Sequence, residues 1–266
     1  MSKHAIVTGG SSGIGKAVAK LIAADGSNVS IIARNLEKLN SAQQEIAEFA
    51  INPEQKILSF VADVAENEQV VKAINQAIAS SGTPDLLITS AGIAIPDHFE
   101  NLSLDVFEKT MQVNYFGSLY AVKAVLPAMR KAGKGKIVLI SSGAGLIGLY
   151  GYTAYSPSKF ALRGFAESLR GELKPQGIQV SIVYPPDTDT PQLAAENKTK
   201  PSATKAITAT AKTWSAEAVA NEIIKGLQKK QFAIAPGLEL TILNRFHSLI
   251  MPILNLYFDR IVSKNS

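Results

Sequence analysis

The chain predicts one doubly wound α/β domain, with a central parallel sheet and helices on both faces. Three observations carry that expectation. Unbroken apolar runs of strand length recur at Ala5–Thr8, Val29–Ala33, Ile57–Val61, Leu86–Thr89, Lys136–Ser141 and Ile178–Tyr184. Helical patterns separate them, near Gly13–Asp25, Leu36–Ala50, Asn67–Ser80, Asp105–Lys131 and Thr153–Lys174. A glycine-rich turn joins the first strand to the first helix. Strands apolar on both faces must be covered on both sides, and right-handed crossovers then set the winding.

Bulk properties bound the possibilities. A chain of 266 residues can fill one large domain, and 46% hydrophobic against 18% charged residues excludes disorder. The net charge of +5 is scattered, without a basic stripe interleaved with aromatics, so nucleic acid is not an expected partner. Such a balance suits an anionic cofactor or an anionic membrane surface. The absence of cysteine excludes disulfides and thiolate catalysis. His4, His98 and His247 have no metal-ligand spacing. The first strand starts too early for a secretory signal, which predicts a cytoplasmic chain.

The first strand leads into Thr8-Gly9-Gly10-Ser11-Ser12-Gly13-Ile14-Gly15. Glycines permit a tight turn and close backbone approach, and the following helix N-terminus attracts a pyrophosphate; an ordinary Gly/Ser turn is the plain alternative. Thr8, Gly9, Ser11, Ser12, Gly13, Ile14 and Gly15 are therefore candidate cofactor-binding residues of a Rossmann-type domain. After the second strand stands Ala33-Arg34-Asn35. A guanidinium there, with no carboxylate, favours the 2′-phosphate of NADP(H), unless Arg34 is merely a solvated charge. After the third strand, Asp63, with Val64 beside it, could accept from an adenine amino group or cap the next helix. Ala91-Gly92 lets the backbone pass close to the cofactor after the fourth strand.

The fifth strand ends at Ser142, and Tyr155 and Lys159 follow thirteen and seventeen residues later. A YxxxK spacing arises by chance in roughly half of chains of this composition, so the setting carries the weight. On a helix, i and i+4 side chains share a face, which predicts that the Lys159 ammonium lowers the Tyr155 pKa toward working pH. Tyr155 then exchanges a proton with a ketone or alcohol oxygen that Ser142 also holds. Pro157 requires the helix to start near Tyr155. A packing tyrosine with a solvated lysine is the competing interpretation.

These motifs, with Asn114, resemble those of the short-chain dehydrogenase/reductase family from about Lys3 to Thr190. The resemblance implies a catalytic tetrad of Asn114, Ser142, Tyr155 and Lys159. Asn114 would hold a water in a proton relay with Lys159, and Lys159 would also bind the nicotinamide ribose. Otherwise Asn114 would be a helix-interior structural amide. The resemblance also places Thr190 at the carboxamide, with Pro185 and Thr188 close by, and suggests a homodimer or homotetramer formed through the two long helices. The family's usual Asn-Asn-Ala-Gly reads Thr89-Ser90-Ala91-Gly92 here, and its Pro-Gly reads Pro185-Pro186.

The strings Tyr184–Pro191 and Ala195–Pro201 resemble the branch of that family that reduces the C3 ketone of 3-ketosphinganine to sphinganine with NADPH. That implies a long-chain keto-lipid substrate. A reductase of another bulky ketone, such as a steroid or retinoid, and an idle nucleotide-binding sensor or scaffold are the rivals. Pro185–Thr213, rich in Thr and Pro, predicts a lid or mobile loop. Residues 1–237 then form the catalytic domain and 238–266 a helical extension. In Leu238–Val262 the uncharged run Phe246–Phe258 is too short to span a bilayer. Phe246, Leu249, Ile250, Ile253 and Leu254 have spacing suited to lying on a membrane surface, as a peripheral contact, or to packing on the domain or a partner subunit.

Overall fold

At the centre of the sheet, β1 (His4–Thr8) pairs in parallel with β2 (Asn28–Ala33) on one side and β4 (Leu86–Thr89) on the other. β3 (Ile57–Val61) lies outside β2. Beyond β4 follow β5 (Gly135–Ile140), β6 (Ile178–Val183) and the short β9 (Ala233–Ile234). The order is thus β3-β2-β1-β4-β5-β6-β9, all parallel. The structure is a computed structural model that describes residues 3–209 and 211–265; of the expected lid, Thr210 lies outside the described residues.

The unbroken apolar runs follow from the pleat. Ile6, Leu87, Ile137, Leu139 and Ile182 point to one face, and Ala5, Val7, Ile88, Val138 and Val183 to the other. The first set meets α3 (Asn67–Ser81), α5 (Gly117–Ala132) and α6 (Tyr155–Leu173). The second meets α1 (Gly13–Ala24), α2 (Leu36–Ala47) and α9 (Ala216–Gln228). Each fully buried Ile or Leu contributes about 1.5–3 kcal/mol. Strand order reverses at β1, so the crevice between β1 and β4 opens at the carboxyl ends of the strands, where such sheets hold ligands.

Four regions differ from the sequence expectation. The single helix expected over Asp105–Lys131 is α4 (Leu104–Met111), a π turn at Gln112–Phe116, then α5. The wider turn buries both Val113 and Asn114. Residues 185–213, expected as a lid or mobile loop, carry regular secondary structure. They contain β7 (Thr188–Asp189), α7 (Pro191–Thr199) and α8 (Ser202–Thr208), and β7 pairs with β8 (Trp214–Ser215). Thr190 caps α7 and Pro191 occupies its first turn, so local capping chemistry outweighs the loop-like composition. Neither α9 nor β9 was anticipated. Finally, α10 (Leu238–Asn265) departs from helical geometry at Phe246 (φ −124°, ψ 19°) and contains Pro252. It packs against α8, where the Ser202 hydroxyl donates to the Asn265 carbonyl at 2.9 Å. Among the described residues no helix is long and apolar enough to cross a membrane.

Candidate active site

A cavity of about 460 Å³ runs along the strand ends, from Arg34 and Lys38 past the Gly9–Ile14 turn to Tyr155 and Glu196. Its nucleotide end is shaped by missing side chains. Gly9 has φ +70°, and a Cβ there would stand 2.5 Å from the Ala91 amide nitrogen. At Gly13, with φ +52°, a Cβ would stand 3.0 Å from Thr190 Cγ2. Gly15 lies off the cavity wall, where a Cβ would strike the Gly9 carbonyl, and Thr8 is buried at the end of β1. Both support the turn rather than line the cavity. Ser12, the N-cap of α1, makes no side-chain cap bond, and the first turn of α1 contains no acidic residue. The helix therefore presents uncapped N–H groups and its positive end beside the cavity, which fits a dinucleotide pyrophosphate.

At the far end, Arg34 Nη1 lies 3.7 Å from Asp63 Oδ2. Asp63 Oδ1 accepts from the Ala65 amide at 3.0 Å, whereas Glu66 is the N-cap of α3, so Asp63 is not that helix's cap. Asn35 caps α2 by accepting from the Lys38 amide at 2.9 Å. Lys38 itself joins Arg34 on the cavity wall, although sequence reasoning did not select it. Its signal was a cation in the first turn of a helix, where the macrodipole disfavours one. Val64, Ala91 and Gly92 also line the cavity.

Tyr155 opens α6, so Pro157 falls in the first turn, where its missing N–H costs no helical bond. Ser142, extended at the end of β5, accepts from the Ala144 amide at 3.1 Å, and its side chain acts to lower the Tyr155 pKa. Lys159, one turn along α6, is buried; its ammonium donates to the Ile140 carbonyl at 3.1 Å and lies 5.5 Å from the Tyr155 ring centroid. Asn114 is clamped in the π turn: Oδ1 accepts from the Ile93 amide at 2.8 Å, while Nδ2 donates to the Ile93 carbonyl at 3.0 Å and to Ser158 Oγ at 2.8 Å. A methyl on Gly92 would lie 3.3 Å from Asn114 Oδ1 and 3.5 Å from Lys159 Nζ, so the fold gathers these groups around a bare backbone.

The expected depression of the Tyr155 pKa is corrected by this geometry. Burial and then the negative charge of Glu196 push the phenol above its ordinary range, against the hydrogen bonds of Ser142 and Gln192; Asp187 adds to the rise. The Lys159 amine lies over the ring, 5.5 Å from its centroid. Burial pushes Lys159 down to about 8, with Glu196 opposing. At neutral pH the phenol is protonated, the state required of a proton donor to a ketone.

The remaining wall comes from the segment after β6. The Gly143 amide donates to the Pro185 carbonyl at 3.0 Å, and Thr188 Oγ1 donates to the Pro186 carbonyl at 2.8 Å. Thr190 Oγ1 accepts from the Leu193 amide at 3.3 Å as the cap of α7. Pro185, Thr188 and Thr190 all line the cavity. Sequence reasoning gave no site role to Tyr152, Gln192 and Glu196, which line it as well. Glu196 is the only buried residue of α7. It accepts from the Tyr152 hydroxyl at 2.6 Å and from Gln192 Nε2 at 2.8 Å. Burial and Glu196 together push the Tyr152 phenol far above its usual range. Leu240, near the start of α10, stands 3.1 Å from the position of a Cβ on Gly143, so the C-terminal helix borders the site.

Residues 3–201 match the family model described as short chain dehydrogenase. A 3-dehydrosphinganine reductase of Danio rerio is 46% identical over 88% of this chain and 71% of its own length. A 3-ketodihydrosphingosine reductase of Bos taurus is 44% identical with the same coverage, and one of Dictyostelium discoideum is 41% identical over 96% of this chain and 84% of its own. Among solved structures, a short-chain dehydrogenase from Streptomyces avermitilis matches all of both chains with a TM-score of 0.79 at 23% identity, a likeness of fold.

Proposed function

The chain belongs to the short-chain dehydrogenase family, and from that premise we propose that it reduces the C3 ketone of 3-ketosphinganine to sphinganine with NADPH, a step of sphingolipid synthesis. One observation carries the mechanism: buried Tyr155, with Ser142 and Lys159, lines the same cavity as the glycine cradle. The relatives named above supply the substrate class. A nicotinamide held along the cavity beside Tyr155 would supply the hydride to the carbonyl carbon. Ser142 orients the ketone oxygen, and Tyr155 gives its proton to that oxygen as the alcohol forms. Lys159, charged below about pH 8, stabilises the phenolate left behind. Asn114, with its amide bound to Ile93 and Ser158, fixes the Gly92-Ile93 turn against Lys159. Arg34 and Lys38 favour NADPH by meeting the charge of a 2′-phosphate.

The substrate is lipid-borne, and the C-terminal helix is placed to meet its source. Ile242, Phe246, Leu249, Ile253 and Leu256 form an exposed apolar row on α10, while Ile250 and Leu254 are half-buried. Arg245, Arg260 and Lys264 on the same helix are exposed and suit anionic headgroups. The row is assigned to peripheral contact with a bilayer. Exposed Phe99, Leu104, Phe116 and Phe160 near α4, α5 and α6 support assembly into a dimer or tetramer through that face.

The test is product analysis after incubation with 3-ketosphinganine and NADPH. Sphinganine formed in proportion to NADPH consumed is the expected result. Faster turnover of a steroid ketone than of 3-ketosphinganine would overturn the substrate assignment.

A further inference from the structure

Among the described residues Glu196 makes no ion pair, although it is buried within the active-site cavity. Both hydrogen bonds its carboxylate accepts come from neutral donors, Tyr152 and Gln192. The nearby cations are engaged elsewhere. Lys200 Nζ lies 3.6 Å from Asp187 Oδ2, and Lys159 Nζ donates to the Ile140 carbonyl. A carboxylate offers about four lone-pair positions, so about two remain for a further donor. Lys159 feels the charge of Glu196 without forming an ion pair with it, and a buried carboxylate with no paired cation is costly unless something cationic comes to it.

We infer that Glu196, held by Gln192 and Tyr152, is the subsite for a cationic amine on the carbon next to the reacting ketone. This rests on the substrate being the 2-amino ketone proposed above. Gln192 sets the spacing, because it donates to Glu196 Oε1 and its side chain also acts on the Tyr155 phenol. In a 2-amino ketone the carbonyl oxygen and the amine nitrogen stand about 3 Å apart, as bond lengths require. An oxygen on Tyr155 and Ser142 thus leaves the ammonium beside Glu196. The Tyr152 ring, 5.5 Å from that of Tyr155, adds an aromatic face to the same corner. Selectivity follows from the same placement. A ketone without the amine leaves Glu196 buried with no paired cation, so the site rejects it instead of merely binding it less well.

The experiment compares full-length wild type, Glu196→Gln and Glu196→Asp with NADPH and three ketones: 3-ketosphinganine, its desamino analogue and its N-acetyl derivative. NADPH affinity, read by fluorescence, reports an intact fold and cradle. Wild type is expected to prefer the amino ketone over the desamino ketone by about 100-fold in kcat/KM. Glu196→Gln should collapse that preference from both sides, raising KM for the amino ketone and raising kcat/KM for the desamino ketone it no longer rejects, with NADPH affinity retained; Glu196→Asp should keep part of the preference. Equal losses on charged and neutral ketones in Glu196→Gln would make the residue structural and overturn the subsite. So would equal wild-type turnover of amino and desamino ketones, while leaving the reductase assignment standing. Reduction of none of the three would sink that assignment and the subsite with it.

Discussion

The cavity has two walls made by different means. The wall from Gly9 to Ile14 is backbone: it works because side chains are missing, and a Cβ on Gly9 or Gly13 would strike Ala91 or Thr190. The wall from Tyr152 and α7 is made of side chains, with a glutamate where a helix normally turns an apolar residue inward. A backbone wall recognises what all dinucleotides share, their pyrophosphate. A side-chain wall recognises a particular charge at a particular place. The two walls should therefore fail in different ways.

The largest effect is expected between them. Tyr155→Phe should lower kcat by about 10³-fold while NADPH affinity is retained, since the cradle is untouched; stopped-flow turnover and equilibrium binding separate the two. Loss of NADPH binding would merge the walls into one unit. Next comes Gly9→Ala, which forces a side chain into φ +70° and against Ala91. A strain of about 1–3 kcal/mol there should weaken NADPH and NADH alike by about 10- to 100-fold, measured by titration. Arg34→Asp should act more selectively, weakening NADPH about 10-fold relative to NADH by setting a carboxylate against the 2′-phosphate. An unchanged preference would remove Arg34 from cofactor choice.

The smallest effect sharpens the contrast from outside both walls. His4, at the opposite end of β1, bonds Gly82 O at 2.8 Å and Ser30 Oγ at 2.9 Å. Burial lowers its pKa below 6.5, against the Gly82 bond and Asp85. Below pH 6.5 the unfolded chain therefore binds more protons at His4 than the folded one, so stability falls on acidification and is recovered above 6.5. His4→Gln should flatten the change in urea midpoint between pH 7.5 and 5.5 without altering cofactor affinity.

The contrast between the walls also explains what the sequence could reveal. Strand positions were legible to within about a residue because burial on both faces leaves uninterrupted apolar runs. The glycine turn was legible because its need is local, and the start of α6 at Tyr155 followed from Pro157 alone. The π turn at Gln112–Phe116 was hidden, since one wider turn barely disturbs helical periodicity. Strands β7, β8 and β9 have two residues each, too few for any pattern. Helix α9 offered a cap at Ser215 and apolar Val219, Ile223 and Leu227, a pattern that was present and passed over. Tyr152 and Glu196 stand 44 positions apart and meet only through the tertiary fold. The raised Tyr155 pKa has the same origin, because it comes first from burial in the assembled cavity and then from Glu196 of α7.

The most direct test of the account is hydride tracing with NADPH deuterated at the reactive nicotinamide carbon. The prediction is sphinganine bearing one deuterium at its C3 carbinol carbon from wild type, and none above background from Tyr155→Phe with NADPH still bound. Unlabelled product from wild type, or undiminished labelling from Tyr155→Phe, would contradict it.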